Sequence, residues 1–292
     1  MNVAVYCRTI SRADLPVVQR MLELLHRRRC GIFLHRRFYE CVASDFPLPD
    51  SAQPFASHAD ICDHVDYLFS LGGDGTLLDT LTLVRDRNIP VAGINLGRLG
   101  FLANIGKDEI EATIDALMEG TYVMDRRSLL ELVTNKPLFD GVSFALNDIT
   151  LHKKDTSSMI LIHAYLNGQF LNSYFADGLI VATPTGSTGY SLSCGGPIVM
   201  PTSENIILTP IAPHNLNVRP LVLSDDSVLS FEVEGRSGEY YCTLDSRTET
   251  LNASVQIAVK KCGFSMTLIR LRDHHFLDTL RRKLMWGADV RR

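Results

Sequence analysis

The hydrophobic period changes once along this chain, near residue 125, and the change bounds what it can fold into. Before that point, short apolar runs alternate with stretches of helical spacing. Val3–Tyr6 reads as a buried strand, and Pro16–Arg29 as a helix with Val17, Met21, Leu24 and Leu25 on one stripe and Gly31 as its C′ residue. Ile32–Leu34, Val65–Phe69 and Val91–Asn95 are further strands. Leu77–Val84 and Glu109–Met118 are helices, the latter closed by Gly120. The three prolines of Asp45–Pro54 mark a loop. Strand, helix, strand, helix is the order of a parallel sheet with covering helices.

After residue 125 a two-residue alternation takes over. Ile160, Ile162, Ala164 and Leu166 fall on one face, and Asn167-Gly168 supplies a two-residue hairpin turn before Gln169–Tyr174. Val142–Leu146, Gly178–Thr183, Asn205–Leu208, Val228–Val233, Tyr240–Leu244 and Ala253–Val259 continue the series, as expected of an all-β sandwich. The reading is therefore two domains. Residues 1–125, joined by 266–292, form an α/β domain, and residues 126–265 form a β-sandwich. The tail Asp278–Arg292 is expected as a helix packing back on the first domain.

Composition removes several classes. The 292 residues carry 29 Lys and Arg against 33 Asp and Glu, a net charge of −4, which argues against a basic nucleic-acid binder. The seven cysteines include no C-x-x-C pair, so they are expected as buried thiols of a reducing cytoplasm rather than zinc ligands or disulfides. Arg8 interrupts any signal-peptide core, and no apolar run approaches the ~18 residues of a membrane span.

Four segments carry chemistry. Gly72-Gly73-Asp74-Gly75-Thr76 lies where a strand becomes a helix, the place where open α/β sheets bind ligands. Consecutive glycines can turn backbone N–H groups into an anion nest, but neither the Walker A pattern nor G-x-G-x-x-G is present. An acid in such a cradle is there to take a proton from an attacking hydroxyl, to hold a metal ion, or simply to cap the helix. Asn147-Asp148 suits the cis-diol of a ribose, or marks a turn. Asp177-Gly178 and the run Thr183–Ser193 form a loop dense in Ser, Thr and Gly, with Tyr190 available to stack on a ring. Such a loop fits a sugar–phosphate ligand or an ordinary surface. Gly93–Leu102 places three glycines after the next strand, with Phe101 either lining a ligand or stapling the loop.

Taken together and in this order, these segments resemble the NAD kinase family, which phosphorylates the adenosine ribose 2′-hydroxyl of NAD to give NADP. The resemblance runs from about Val65 to Pro220. The Thr-Pro-Thr-Gly-Ser-Thr-Gly-Tyr block is its specific part, since diacylglycerol-type lipid kinases and phosphofructokinases share Gly-Gly-Asp-Gly-Thr.

The resemblance implies a general base at Asp74 and dinucleotide contacts at Gly75, Phe101, Asn147, Asp148, Asp177, Thr185, Thr188, Gly189, Tyr190, Ser191, Leu192, Ser193 and Ala212. Asp245 is a further contact, although Asp245-Ser246-Arg247 replaces the family's Asp-Gly-Gln. Phe175 stands where members often carry a basic residue, and Gly189 where they carry Ala. Implied partners are NAD and ATP or polyphosphate, with a divalent cation such as Mg²⁺ whose protein ligands the sequence leaves unknown. A cytoplasmic homo-oligomer, dimer or tetramer, is implied as well, with no membrane partner and no nucleic acid. The competing readings are a lipid kinase, resting on the shared glycine motif, and a non-catalytic dinucleotide sensor.

Overall fold

The computed structural model describes residues 1–61, 63–155, 158–236 and 238–286. Two compact units emerge: Met1–Arg126 with Met266–Arg292, and Arg127–Ser265.

The first unit runs β1 (Asn2–Cys7), α1 (Leu15–Arg27), β2 (Gly31–His35), α2 (Arg36–Ala43), β3 (Ala52–Phe55), α3 (His58–Ile61), β4 (Tyr67–Leu71), α4 (Asp74–Val84), β5 (Val91–Asn95), β6 (Ile105–Gly106) and α5 (Ile110–Glu119). Its strands form a parallel sheet in the order β5-β4-β1-β2-β3, with β6 beside β5. Val3, Val5, Phe69, Leu71, Ala92 and Ile94 are buried in a core completed by Met21, Leu22 and Leu25 of α1 and Ile114 of α5. Strands covered on both faces read as unbroken apolar runs, which is why β5 shows no alternation.

Several boundaries differ from the sequence reading. The left-handed residue after α1 is Arg29 (φ 57°), and Gly31 instead opens β2, where a side chain would collide with Asn2. The proline loop ends in β3, an edge strand that tolerates Pro54 because one side needs no ladder donor. Gly120 (φ 69°) does close α5 in the left-handed conformation.

The second unit takes in most of β7 (Val123–Thr134) and continues through β8 (Phe144–Ala145), β9 (Asp148–Lys153), β10 (Ile160–Leu166), β11 (Gln169–Ala176), β12 (Gly178–Ala182), α6 (Tyr190–Ser193), β13 (Asn205–Ile211), β14 (Leu221–Ser224), β15 (Leu229–Glu234), β16 (Glu239–Leu244), β17 (Arg247–Asn252) and the start of β18 (Ile257–Arg270). One antiparallel sheet has the order β14-β13-β12-β9-β16-β17; β11, β10, β15 and β18 form the other layer. Alternate residues of both layers, including Ile149, Leu151, Ile160, Ile162, Val181, Leu208, Phe231 and Cys242, fill the space between them. Asn167 (φ 50°) and Gly168 (φ 79°) make the β10–β11 turn as their sequence demands.

Leu268 of β18 pairs with Val91 in the first unit, and α7 (Phe276–Leu284) follows it. The tail helix thus starts before Asp278 and closes at Met285 (φ 54°), while residues 287–292, with the basic end of that tail, and Cys62 lie outside the described residues. Cys7, Cys30, Cys41, Cys194, Cys242 and Cys262 are free thiols. No helix among the described residues is long and apolar enough to cross a membrane.

Candidate active site

In the first unit the chain leaves β4 through Gly72, whose φ of 145° and close approach to the Thr76 side chain admit no Cβ. Gly73 is the extended residue before α4, so Asp74 opens the helix, where a negative charge suits the helix dipole. Asp74 Oδ2 accepts the N–H of Phe101 at 2.8 Å, and Oδ1 accepts those of Leu102 and Ala103, both at 2.9 Å. A carboxylate has about four acceptor positions, so Oδ2 keeps capacity for one more donor. Gly100 permits this clamp, because a Cβ there would collide with Asp74 Oδ1. Side chains at Gly73 and Gly75, the residues on either side of Asp74, would meet nothing within 4 Å. The ring of Phe101 lies 6.3 Å from that of Phe276 in α7, with the Lys283 ammonium 5.8 Å from its centre.

Beside this loop, Arg8 leaves the end of β1. Its Nε donates to Asp79 Oδ2 at 2.7 Å and its Nη2 to Asp79 Oδ1 at 2.5 Å and to the Gly75 carbonyl at 3.1 Å. Tyr6 donates to the same Asp79 at 3.0 Å, and burial, then the Asp79 charge, push its phenol up to about 12.

The second unit assembles a different cluster. Asp245, in the β16–β17 turn with φ 54°, accepts the N–H groups of Leu146 (2.9 Å), Asn147 (2.7 Å) and Asp148 (3.3 Å), and returns its own N–H to the Asp148 carbonyl at 3.0 Å. Arg247 donates to the carbonyls of Val142, at 2.5 Å, and Phe144. Asp245 therefore holds the backbone of the Asn147-Asp148 pair, a role that the two-residue motif does not announce.

Asp148 itself is buried and accepts from Thr150 Oγ1 at 3.0 Å. Burial, then the neighbouring Asp245 charge, push its carboxyl up to about 7. Burial raises Asp245 too, while its three backbone donors and Arg247 oppose that rise.

The Thr183–Ser193 loop is tied to the same place. Thr183 donates its Oγ1 to the Leu146 carbonyl at 2.6 Å and its N–H to the Asn147 carbonyl at 2.9 Å. Gly186 presses on the Asn147 backbone so closely that any Cβ would collide with it. The Cβ position of Gly189 lies 3.7 Å from Asn147 Nδ2 and 3.9 Å from Asp148 Oδ2, so Asn147, Asp148 and Gly189 form one patch. Thr185 accepts from the buried Arg127 at 3.2 Å, and Thr188 donates to the Thr185 carbonyl at 3.1 Å. Tyr190 is 45% exposed, Leu192 is half-buried and Ser193 is exposed. Ser191 is buried instead, with its hydroxyl on Thr209 Oγ1 at 2.8 Å.

Asp177 pairs with Lys153 at 2.6 Å and donates its N–H to the Ile211 carbonyl at 3.0 Å, next to the exposed Ala212 (φ 44°). Lys153 is the cation at Asp177, while Phe175 stacks edge-on against His214 at 5.7 Å. Lys153, Arg127 and Arg8 carry no motif and were not anticipated. His274 of the Asp273-His274-His275 run bonds Glu109 at 2.8 Å, and among the described residues no three His, Cys, Asp or Glu side chains form a metal-holding group.

Residues 3–122 match the ATP-NAD kinase N-terminal domain, and residues 146–271 match the ATP-NAD kinase C-terminal domain. The NAD kinase of Cytophaga hutchinsonii is 44% identical over 292 residues, and that of Flavobacterium psychrophilum 42% over 293, each covering all of both chains. Among solved structures, yeast NADH kinase complexed with NADH superposes with a TM-score of 0.90 at 26% identity, over 100% of this chain and 89% of that one. An NAD kinase from Archaeoglobus fulgidus in complex with ATP gives 0.75 at 26% identity, over 98% and 99%. Fold and relatives together define a phosphotransferase of two domains. The chain belongs to the NAD kinase family.

Proposed function

We propose that this protein transfers the γ-phosphate of ATP, or a phosphate of polyphosphate, to the adenosine ribose 2′-hydroxyl of NAD, giving NADP. The observation that carries the reading is Asp74, a carboxylate fixed by three amides and flanked by two glycines whose Cβ positions are unobstructed. Phosphoryl transfer asks mainly for positioning and charge neutralisation, and a loose transition state lets the hydroxyl proton leave late. Asp74 Oδ2, with one acceptor position left, takes that proton. The three amide donors keep the carboxylate from rotating away from the sugar oxygen.

The second unit binds the dinucleotide. Asn147 and Asp148 supply acceptor and donor groups to a ribose, and Tyr190, Thr185, Thr188, Gly189, Leu192 and Ser193 line the ligand. Ser191 supports the loop from behind, through Thr209. Asp177, anchored by Lys153, and Ala212 sit at the nicotinamide end. Asp148 enters as a neutral donor when its proton is present and as an acceptor once it has left.

A divalent cation suits the chemistry. Mg²⁺ is a hard ion usually carried by phosphate oxygens, waters and one or two carboxylates, and Asp74 is the oxygen donor of its loop. Such an ion would neutralise donor phosphate charge. The same reading takes the protein as a cytoplasmic homo-oligomer in NADP biosynthesis; its unpaired thiols accord with a reducing compartment.

The test is a coupled assay of purified protein with NAD, NADH, ATP and polyphosphate in all combinations, alongside Asp74→Asn. NADP formation that Asp74→Asn abolishes supports the reading. An unimpaired Asp74→Asn removes Asp74 from the chemistry, and dinucleotide binding without turnover leaves a sensor.

A further inference from the structure

We propose that Arg8 binds the phosphate chain of the donor and that Tyr6 and Asp79 hold it in position. This rests on the kinase reading above only in taking the donor to be a polyphosphate compound.

The side chain is 49% exposed, yet three hydrogen bonds fix it. Asp79 grips the Nε–Nη2 edge of the guanidinium with both oxygens, and the second Nη2 proton goes to the Gly75 carbonyl. This fork leaves the two protons of Nη1 unused. An exposed ion pair adds little to stability, so the arrangement gains mainly orientation. Asp79 Oδ2 also accepts from Tyr6 at 3.0 Å, so Tyr6 of β1, Arg8 just beyond that strand and the first turns of α4 are tied together.

The location decides the ligand. Arg8 follows the carboxyl end of β1, on the rim where open α/β sheets take their ligands. It touches Gly75, the residue after Asp74, and the loop Gly72–Thr76 contains no Lys or Arg of its own. Transferring a phosphoryl group past a carboxylate needs positive charge near the transferred group. A planar guanidinium with a free donor edge suits phosphate oxygens better than a point charge would. Asp79 offsets part of the positive charge, which favours a multiply charged ligand over a singly charged one.

Binding is measured first, by calorimetry with Mg²⁺ and either ATP, inorganic tripolyphosphate or NAD, and each variant is melted. Arg8→Ala is expected to weaken ATP and tripolyphosphate about tenfold or more, with NAD affinity within twofold and melting within a few degrees. Arg8→Lys, which keeps the charge but loses the fork, should lose severalfold on the same two ligands, and Tyr6→Phe a smaller factor. In turnover, the KM for ATP rises while that for NAD stays. Unchanged tripolyphosphate affinity in both Arg8 variants overturns the proposal, as does an equal loss for NAD and ATP. A wild-type protein that binds tripolyphosphate through Arg8 but makes no NADP sinks the kinase reading and leaves this site standing. NADP formation with unaltered ATP affinity in the Arg8 variants does the opposite.

Discussion

Each unit contains one carboxylate that collects three backbone N–H groups from a distant loop. Asp74 collects those of Phe101, Leu102 and Ala103, and Asp245 those of Leu146, Asn147 and Asp148. The bonding is alike and the settings are opposite. Beside Asp74 stand Gly73 and Gly75, whose Cβ positions are unobstructed. Around Asp245 stand Asp148 and Arg247, and desolvation raises both carboxyls. The same local device therefore holds one carboxylate beside two unhindered glycines and lets another fix the backbone of the Asn147-Asp148 segment. Hydrogen-bond pattern alone does not separate the two roles; the surroundings do.

The largest expected effect breaks the likeness outright. Asp74→Asn keeps an acceptor for two of its amides but not a proton acceptor, so kcat should fall by roughly 10²–10⁴ with NAD affinity retained, as steady-state kinetics and calorimetry would show. Asp245→Ala should act on the fold instead. Three amides lose their acceptor, and denaturant unfolding should show a loss of about 2–4 kcal/mol.

A third experiment uses pH. The Asp148 carboxyl sits near 7 in the folded protein against 3.8 in the unfolded chain, so the folded state binds more protons between those values. Stability from this group therefore falls as pH rises from 4 to 7, by about 1–3 kcal/mol. Asp148→Asn should match the wild type at pH 4 and exceed it above pH 7 in urea titrations; a constant difference would contradict the assignment. The smallest effect sharpens the comparison from the other side. Gly100→Ala pushes on Asp74 Oδ1 and should cost about 1–2 kcal/mol of stability, with a larger fractional loss of kcat than of NAD affinity.

Much of the architecture was legible because the periods are local. Val91–Asn95, an unbroken apolar run up to its closing Asn95, is β5 to the residue, and Asn167-Gly168 turns where it should. What was missed had its period masked. In α2, Arg36 and Arg37 hide a stripe of only Phe38 and Val42. In β7, the charged start Asp125-Arg126-Arg127 conceals a 12-residue strand, and Lys260-Lys261 interrupts the alternation of β18, which runs to Arg270. In the site, glycines and acids at strand ends were visible, since each constrains its own neighbourhood. The work of Asp245 was not, because its partners lie nearly a hundred residues upstream. Arg8, Arg127 and Lys153 were invisible for the same reason: a lone cation acquires meaning only from what the fold sets beside it.

The contact of Gly186 with the backbone of Asn147 bears on redesign. Since the main chain of one segment fills the volume a methyl group would need at the other, neither can drift alone, whatever nucleotide is wanted. On the proposed dinucleotide reading, libraries aimed at altered ligand preference are better spent on Thr188, Tyr190 and Ser193, whose partly or fully accessible side chains can change without dislodging that seam.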